Sequence, residues 1–90
     1  MKKGRIHLGS EAVPVFYEIT NEIARNKLRT ISGTLELIQV PVGKLAAALS
    51  NMDGANLITE DGQVAWIEFT RSNGGKMYDF KVLPPEGFVV

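Results

Sequence analysis

The sequence predicts an α+β domain, a mostly antiparallel sheet of five to six strands with one main helix, residues 42–52, packed on one face. Two observations carry this. Tight-turn signals at Asp61-Gly62 and Gly74-Gly75 divide residues 56–83 into three β-rich runs. Pro41 then ends an earlier β-branched run and opens a stretch whose apolar residues recur at helical spacing.

Asp-Gly and Gly-Gly supply the positive φ that two-residue hairpin turns require. With Asp61-Gly62 at the turn, Glu60 faces Gln63, Thr59 faces Val64, Ile58 faces Ala65 and Leu57 faces Trp66. Placing Asn73-Gly74 at the second turn would set Glu68 against Asp79, a repulsive cross-strand pair. Gly74-Gly75 instead sets Glu68 against Lys81, Phe69 against Phe80, Ile67 against Val82 and Arg71 against Tyr78. Alternation then puts Ile58, Ala65, Ile67, Phe69, Tyr78, Phe80 and Val82 on a core face. The other face mixes Leu57, Val64, Trp66, Met77 and Leu83 with Thr59, Glu68, Thr70, Asp79 and Lys81.

Earlier in the chain, residues 5–8 and 13–20 read as an N-terminal hairpin around Gly9-Ser10-Glu11. Pro14, which lacks an N–H, is expected at a strand start or an edge. Thr20 or Asn21 can cap a short helix over 21–28, with a structured loop as the alternative. Residues 30–40 form a strand, in which Gly33 falls in the apolar row and marks a bulge or a close backbone approach. In the helix, Leu45, Ala48, Leu49 and Met52 make one stripe and Gly54 is the expected C′ residue, while Ala46 and Ala47 leave room on the outer side for another element. Pro84-Pro85-Glu86-Gly87 then forms a stiff exit to an apolar tail, Phe88-Val89-Val90.

Composition describes the object that these elements build. Ninety residues, 44% hydrophobic and 22% charged, suit one globular domain that buries about 60% of its unfolded surface. With no cysteine there is no disulfide and no thiolate chemistry, and a cytoplasmic location is expected. The basic start is followed by polar residues instead of an apolar signal core, and no run is long enough for a membrane span. Net charge is zero, although residues 1–29 hold six Lys/Arg against three Glu and residues 30–90 hold four against seven acids.

Catalytic and cofactor motifs fail on inspection. Gly43-Lys44 sits where a phosphate loop would, but that motif needs glycine at the position of Ile38 and Ser or Thr at that of Leu45. Asn51, Asp53, Asn56, Glu60 and Asp61 resemble a calcium loop, yet Asn56 replaces the required glycine and Gly62 the required glutamate. His7 is the sole histidine, and no serine among Ser10, Ser32, Ser50 and Ser72 has another base available. No enzymatic activity, cofactor, metal or small-molecule substrate is expected.

The reading that remains is a small accessory protein that binds a partner protein, or a second copy of itself as a homodimer. Its predicted surface is the half-polar face of the C-terminal meander, through Leu57, Val64, Trp66, Glu68, Met77 and Lys81, since Trp and Met are enriched at interface centres. The alternative is nucleic-acid binding through Arg25, Lys27 and Arg29, with Lys2, Lys3 and Arg5 adding charge and Phe16, Tyr17 or Trp66 stacking on bases.

Overall fold

The computed structural model describes residues 1–25, 28–85 and 88, with 21–25 and 28 described by backbone alone. Six strands and one helix follow in the order β1 (Lys2–Leu8), β2 (Glu11–Arg25), β3 (Leu28–Leu37), α1 (Gly43–Ser50), β4 (Gly54–Ile58), β5 (Val64–Ser72) and β6 (Met77–Val82). The strands close into an antiparallel barrel, β1-β2-β3-β6-β5-β4. The expected open sheet with a helix on one face is thereby corrected. Closure rests on two pairings between residues distant in sequence: 5–7 of β1 with 56–58 of β4, and 31–36 of β3 with 77–82 of β6. A closed barrel covers its apolar face with itself, and at six strands the interior is filled by side chains. The helix covers one end of the barrel instead of a sheet face, with Leu45 and Leu49 joining the core.

One inward row shows how the wall bends. Ile19, Gly33, Phe80 and Phe69 stand opposite one another across β2, β3, β6 and β5. A Cβ at Gly33 would lie 2.8 Å from the Phe80 ring and would also collide with the Glu18 carbonyl, so the missing side chain is what admits the fully buried Phe80. Register shifts follow both outer members of the row, between Ile19 and Asn21 and between Phe69 and Arg71. Bulges of this kind bend a strand and raise its twist, which a small closed barrel requires.

The two C-terminal hairpins differ in how well local signals set their register. Glu68–Lys81, Phe69–Phe80 and Ile67–Val82 pair as expected, but after the bulge Arg71 faces Asp79 and Ser72 faces Tyr78. In the β4–β5 hairpin the loop has three residues, 60–62. Thr59 N–H donates to the Gln63 carbonyl at 2.8 Å, Gly62 N–H donates to the Thr59 carbonyl at 3.0 Å, and Gly62 has φ 90°. This is a turn closed by a glycine bulge, and it moves every pair by one residue. Leu57 therefore faces Ala65 and Ile58 faces Val64. A slip of one residue exchanges the faces, so Leu57 is fully buried and Ile58 points outward.

Over residues 21–25 the expected short helix is replaced by strand. These residues continue β2 and pair with 28–32 of β3, while 26 and 27 lie outside the described residues. Thr20, Ile23, Thr30 and Ile31 are β-branched, and ladder pairing outweighs an eight-residue helix that is marginal alone.

The helix α1 is shorter than the 42–52 span and lies against the barrel end where β1 finishes and β4 starts. Leu45, Ala48 and Leu49 are its buried residues. Its first turn is tied to β2, because Lys44 N–H donates to Glu11 Oε1 at 2.9 Å. At the other end Asp53 N–H reaches the Ala48 carbonyl at 2.9 Å and Met52 N–H the Leu49 carbonyl at 3.3 Å. That pattern makes Met52, with φ 55°, the C′ residue in place of Gly54.

Gly33→Ala is expected to destabilise the fold by about 1–3 kcal/mol, because the added methyl must displace Phe80 or the β2 backbone. Chemical denaturation of both proteins measures this directly, and an unchanged midpoint would show that the wall tolerates the methyl.

Candidate binding groove

Trp66 points outward from β5. In its cross-strand row His7, Asn56 and Trp66 stand side by side on β1, β4 and β5. The indole lies across the backbone of Gly54, where a Cβ would come within 2.5 Å of Cζ2. It is consequently seated against the barrel and remains 38% exposed. Beside it runs a groove of about 550 Å³ between α1 and the start of β4. Leu8, Ala47, Ala48, Met52 and Trp66 supply its apolar surface and Lys44, Asp53 and Glu68 its polar groups. The small outer residues of the helix make the space: Ala47 faces the groove, and Met52 is brought there by the left-handed turn that ends α1.

The predicted surface is only partly brought together. Val64 is 62% exposed and shares the outward side of β5 with Trp66, and Glu68 lies two residues further along, opposite Lys81. Leu57 is in the core and leaves the surface altogether. Met77 bonds to Asn73, seven residues beyond Trp66 along β5, which is roughly 23 Å away at strand rise. The sequence reading missed Leu8 and Met52 as groove residues. Met52 carried a signal, as the next stripe position after Leu49, but only the chain reversal turns it toward Trp66.

The basic residues are placed less favourably for nucleic acid. Arg25 ends β2, Lys27 lies outside the described residues, and Arg29 is half-buried with its guanidinium donating to the Pro85 carbonyl at 3.4 Å. Tyr17 is buried, and its hydroxyl accepts the Glu60 N–H at 3.0 Å, so its ring is not offered for stacking. Lys3 and Arg5 do point outward on β1.

A second cavity, about 510 Å³, opens at the barrel end away from α1, among Lys2, Tyr17, Ile19, Thr59, Asp61 and Phe88. Phe88 of the expected apolar tail is buried here, and Val89 and Val90 lie outside the described residues. The Thr59 hydroxyl donates to the Asp61 carboxylate and accepts the Gln63 N–H at 2.9 Å. That hydroxyl is the main cause of a lowered Asp61 pKa, with the turn's backbone N–H groups adding to it. Among the described residues no group of three His, Asp or Glu is placed to hold a metal, and no helix is long and apolar enough to cross a membrane.

No protein-family model, curated protein or solved structure matches the chain.

Because its folded pKa is depressed below 3.8, Asp61 contributes turn stability that is present above that value and is lost as pH falls through the folded pKa. Thr59→Val is expected to bring the Asp61 carboxyl back toward 3.8, as followed by the carboxyl carbon shift in an NMR titration. A titration that does not move would assign the shift to the backbone donors alone.

Proposed function

We propose that the protein is a non-enzymatic interaction module that holds a short apolar segment of a partner protein in the groove beside Trp66. The observation that carries this is the seated, part-exposed indole next to an apolar cleft that is already open. A Trp seated on the backbone of the neighbouring strand offers large contact area with little entropy left to lose. Lys44, Asp53 and Glu68, which line the groove, would set the segment's direction and register.

What supports a protein partner over nucleic acid is the mixed charge of the groove, together with the engagement of Arg29 by Pro85. A strand-tracking basic channel with several stacked aromatics would have supported the other reading.

The test is selection of peptide ligands from a random display library, with the bound site mapped by amide shifts. Ligands are expected to perturb Leu8, Ala47, Met52 and Trp66. Trp66→Ala is expected to weaken them by about 2 kcal/mol, roughly thirtyfold, with the denaturation midpoint nearly unchanged. Ala47→Arg, which fills the groove from the helix side without touching the core, should have a similar effect. Ligands that map elsewhere, or a Trp66→Ala barrel that unfolds, would overturn the reading.

A further inference from the structure

A different part of the surface has a charge pattern that is its own complement. On the outer wall formed by β1, β2 and β3, Lys3 stands directly opposite Phe16, and Phe16 directly opposite Glu36. The three side chains share the outward face, and Phe16 is 39% exposed. In the neighbouring row Arg5 stands opposite Pro14, and Ile38, 37% exposed, donates its N–H to the Pro14 carbonyl at 3.1 Å. An apolar centre of Phe16, Pro14 and Ile38 is thus bordered by cations on the β1 side and by Glu36 on the β3 side. Lys3 and Glu36 are two strand spacings apart, about 10 Å. Neither the Lys3 ammonium nor the Glu36 carboxylate has a hydrogen-bond or ion-pair partner among the described residues, and Glu60 bonds the Lys3 backbone N–H instead.

From this arrangement we infer that the β1–β2–β3 wall is the interface of a two-fold homodimer centred on Phe16. A two-fold axis lying in the interface and running along β2 sets Phe16 against its own copy. The same operation brings Lys3 of each chain over Glu36 of the other, twice. Isologous contact demands a self-complementary patch, and a row that reads positive, apolar, negative complements itself on this rotation. Glu36 and Glu18 offset Lys3 and Arg5 on this wall, so a membrane surface or a nucleic acid would find no net attraction there, and an unrelated partner has no need of the inversion symmetry of the row.

The geometry also limits the dimer. The barrel wall is convex, so the buried area falls in the small, transient class and dissociation is in the micromolar range or weaker. Glu18 lies on the axis, two residues from Phe16 along β2, and meets its own copy there. That repulsion opposes association, so removal of its charge should tighten the dimer.

The experiment is sedimentation equilibrium of the full chain from low micromolar to near-millimolar concentration. The wild type is expected to show a reversible monomer–dimer equilibrium that weakens with salt. Lys3→Glu and Glu36→Lys should each raise the dissociation constant at least about tenfold, because each makes the row uniform in sign. The double variant, Lys3→Glu with Glu36→Lys, restores a self-complementary row and should return to within about threefold of the wild type. Mixing the two single variants should give a heterodimer tighter than either homodimer, and Glu18→Gln should strengthen the wild-type dimer. A wild type that stays monomeric throughout overturns the inference. So does a dimer that the single variants leave unchanged, a double variant that fails to recover while its thermal unfolding is normal, or a dimer abolished by Trp66→Ala. The last result would place the second copy in the groove.

Discussion

The contact between Phe80 and the vacancy at Gly33 is the constraint on which the wall of the barrel depends. Six strands enclose too little space for large side chains at every inward position, so some positions must be empty for others to be filled. Gly33 is such a position and Phe80 is its occupant. The bulges beyond Ile19 and Phe69 then let β2 and β5 bend away from the ring on either side. Residues after each bulge change their phase relative to the partner strand. Which side chains of β2 and β5 reach the surface is therefore decided in part by the packing of one aromatic ring.

Much of this was legible in particular residues and some of it was not. The alternation of Ile67, Phe69, Phe80 and Val82 identified an inward face because alternation is local and survives closure into a barrel. Gly33 was readable for the same reason, as a gap in an apolar row. The fold class was not readable, since an open sheet and a closed barrel share this alternation and differ only in the β1–β4 and β3–β6 pairings. Arg5, Ile6 and His7 carry no mark that names Asn56, Leu57 and Ile58 as partners.

The β4–β5 hairpin shows how a small error in turn chemistry spreads. Asp61-Gly62 suits both a two-residue turn and a three-residue turn ending in a glycine bulge, and the Thr59 hydroxyl favours the second by accepting the Gln63 N–H. One extra loop residue sends Leu57 inward and Ile58 outward. The predicted surface accordingly lost a residue from its centre, and Trp66 stayed outward because β5 keeps its phase toward β6. The groove itself depends on where α1 crosses the barrel, and the spacing of Leu45, Ala48 and Leu49 fixes the helix face without fixing the strand it approaches.

Closure also bears on how the protein can bind anything. Each strand of the closed barrel is paired on both sides for at least part of its length, which leaves an added strand only short stretches to join, such as 2–4 of β1, the end of β5 and the β2–β3 ribbon past the barrel rim. Recognition by the barrel therefore falls mainly to outward side chains. Trp66 and Phe16 stand on different walls, separated by β1 and β4, and differ in the company they keep. Trp66 sits beside a concavity made by a helix, a shape that accepts a narrow insert. Phe16 sits on a convex wall between opposite charges, a shape that meets another convex surface only over a small patch of matching pattern. Because the two proposed sites share no residue, occupation of one would leave the other available, and the proposed partner segment and second copy would not compete.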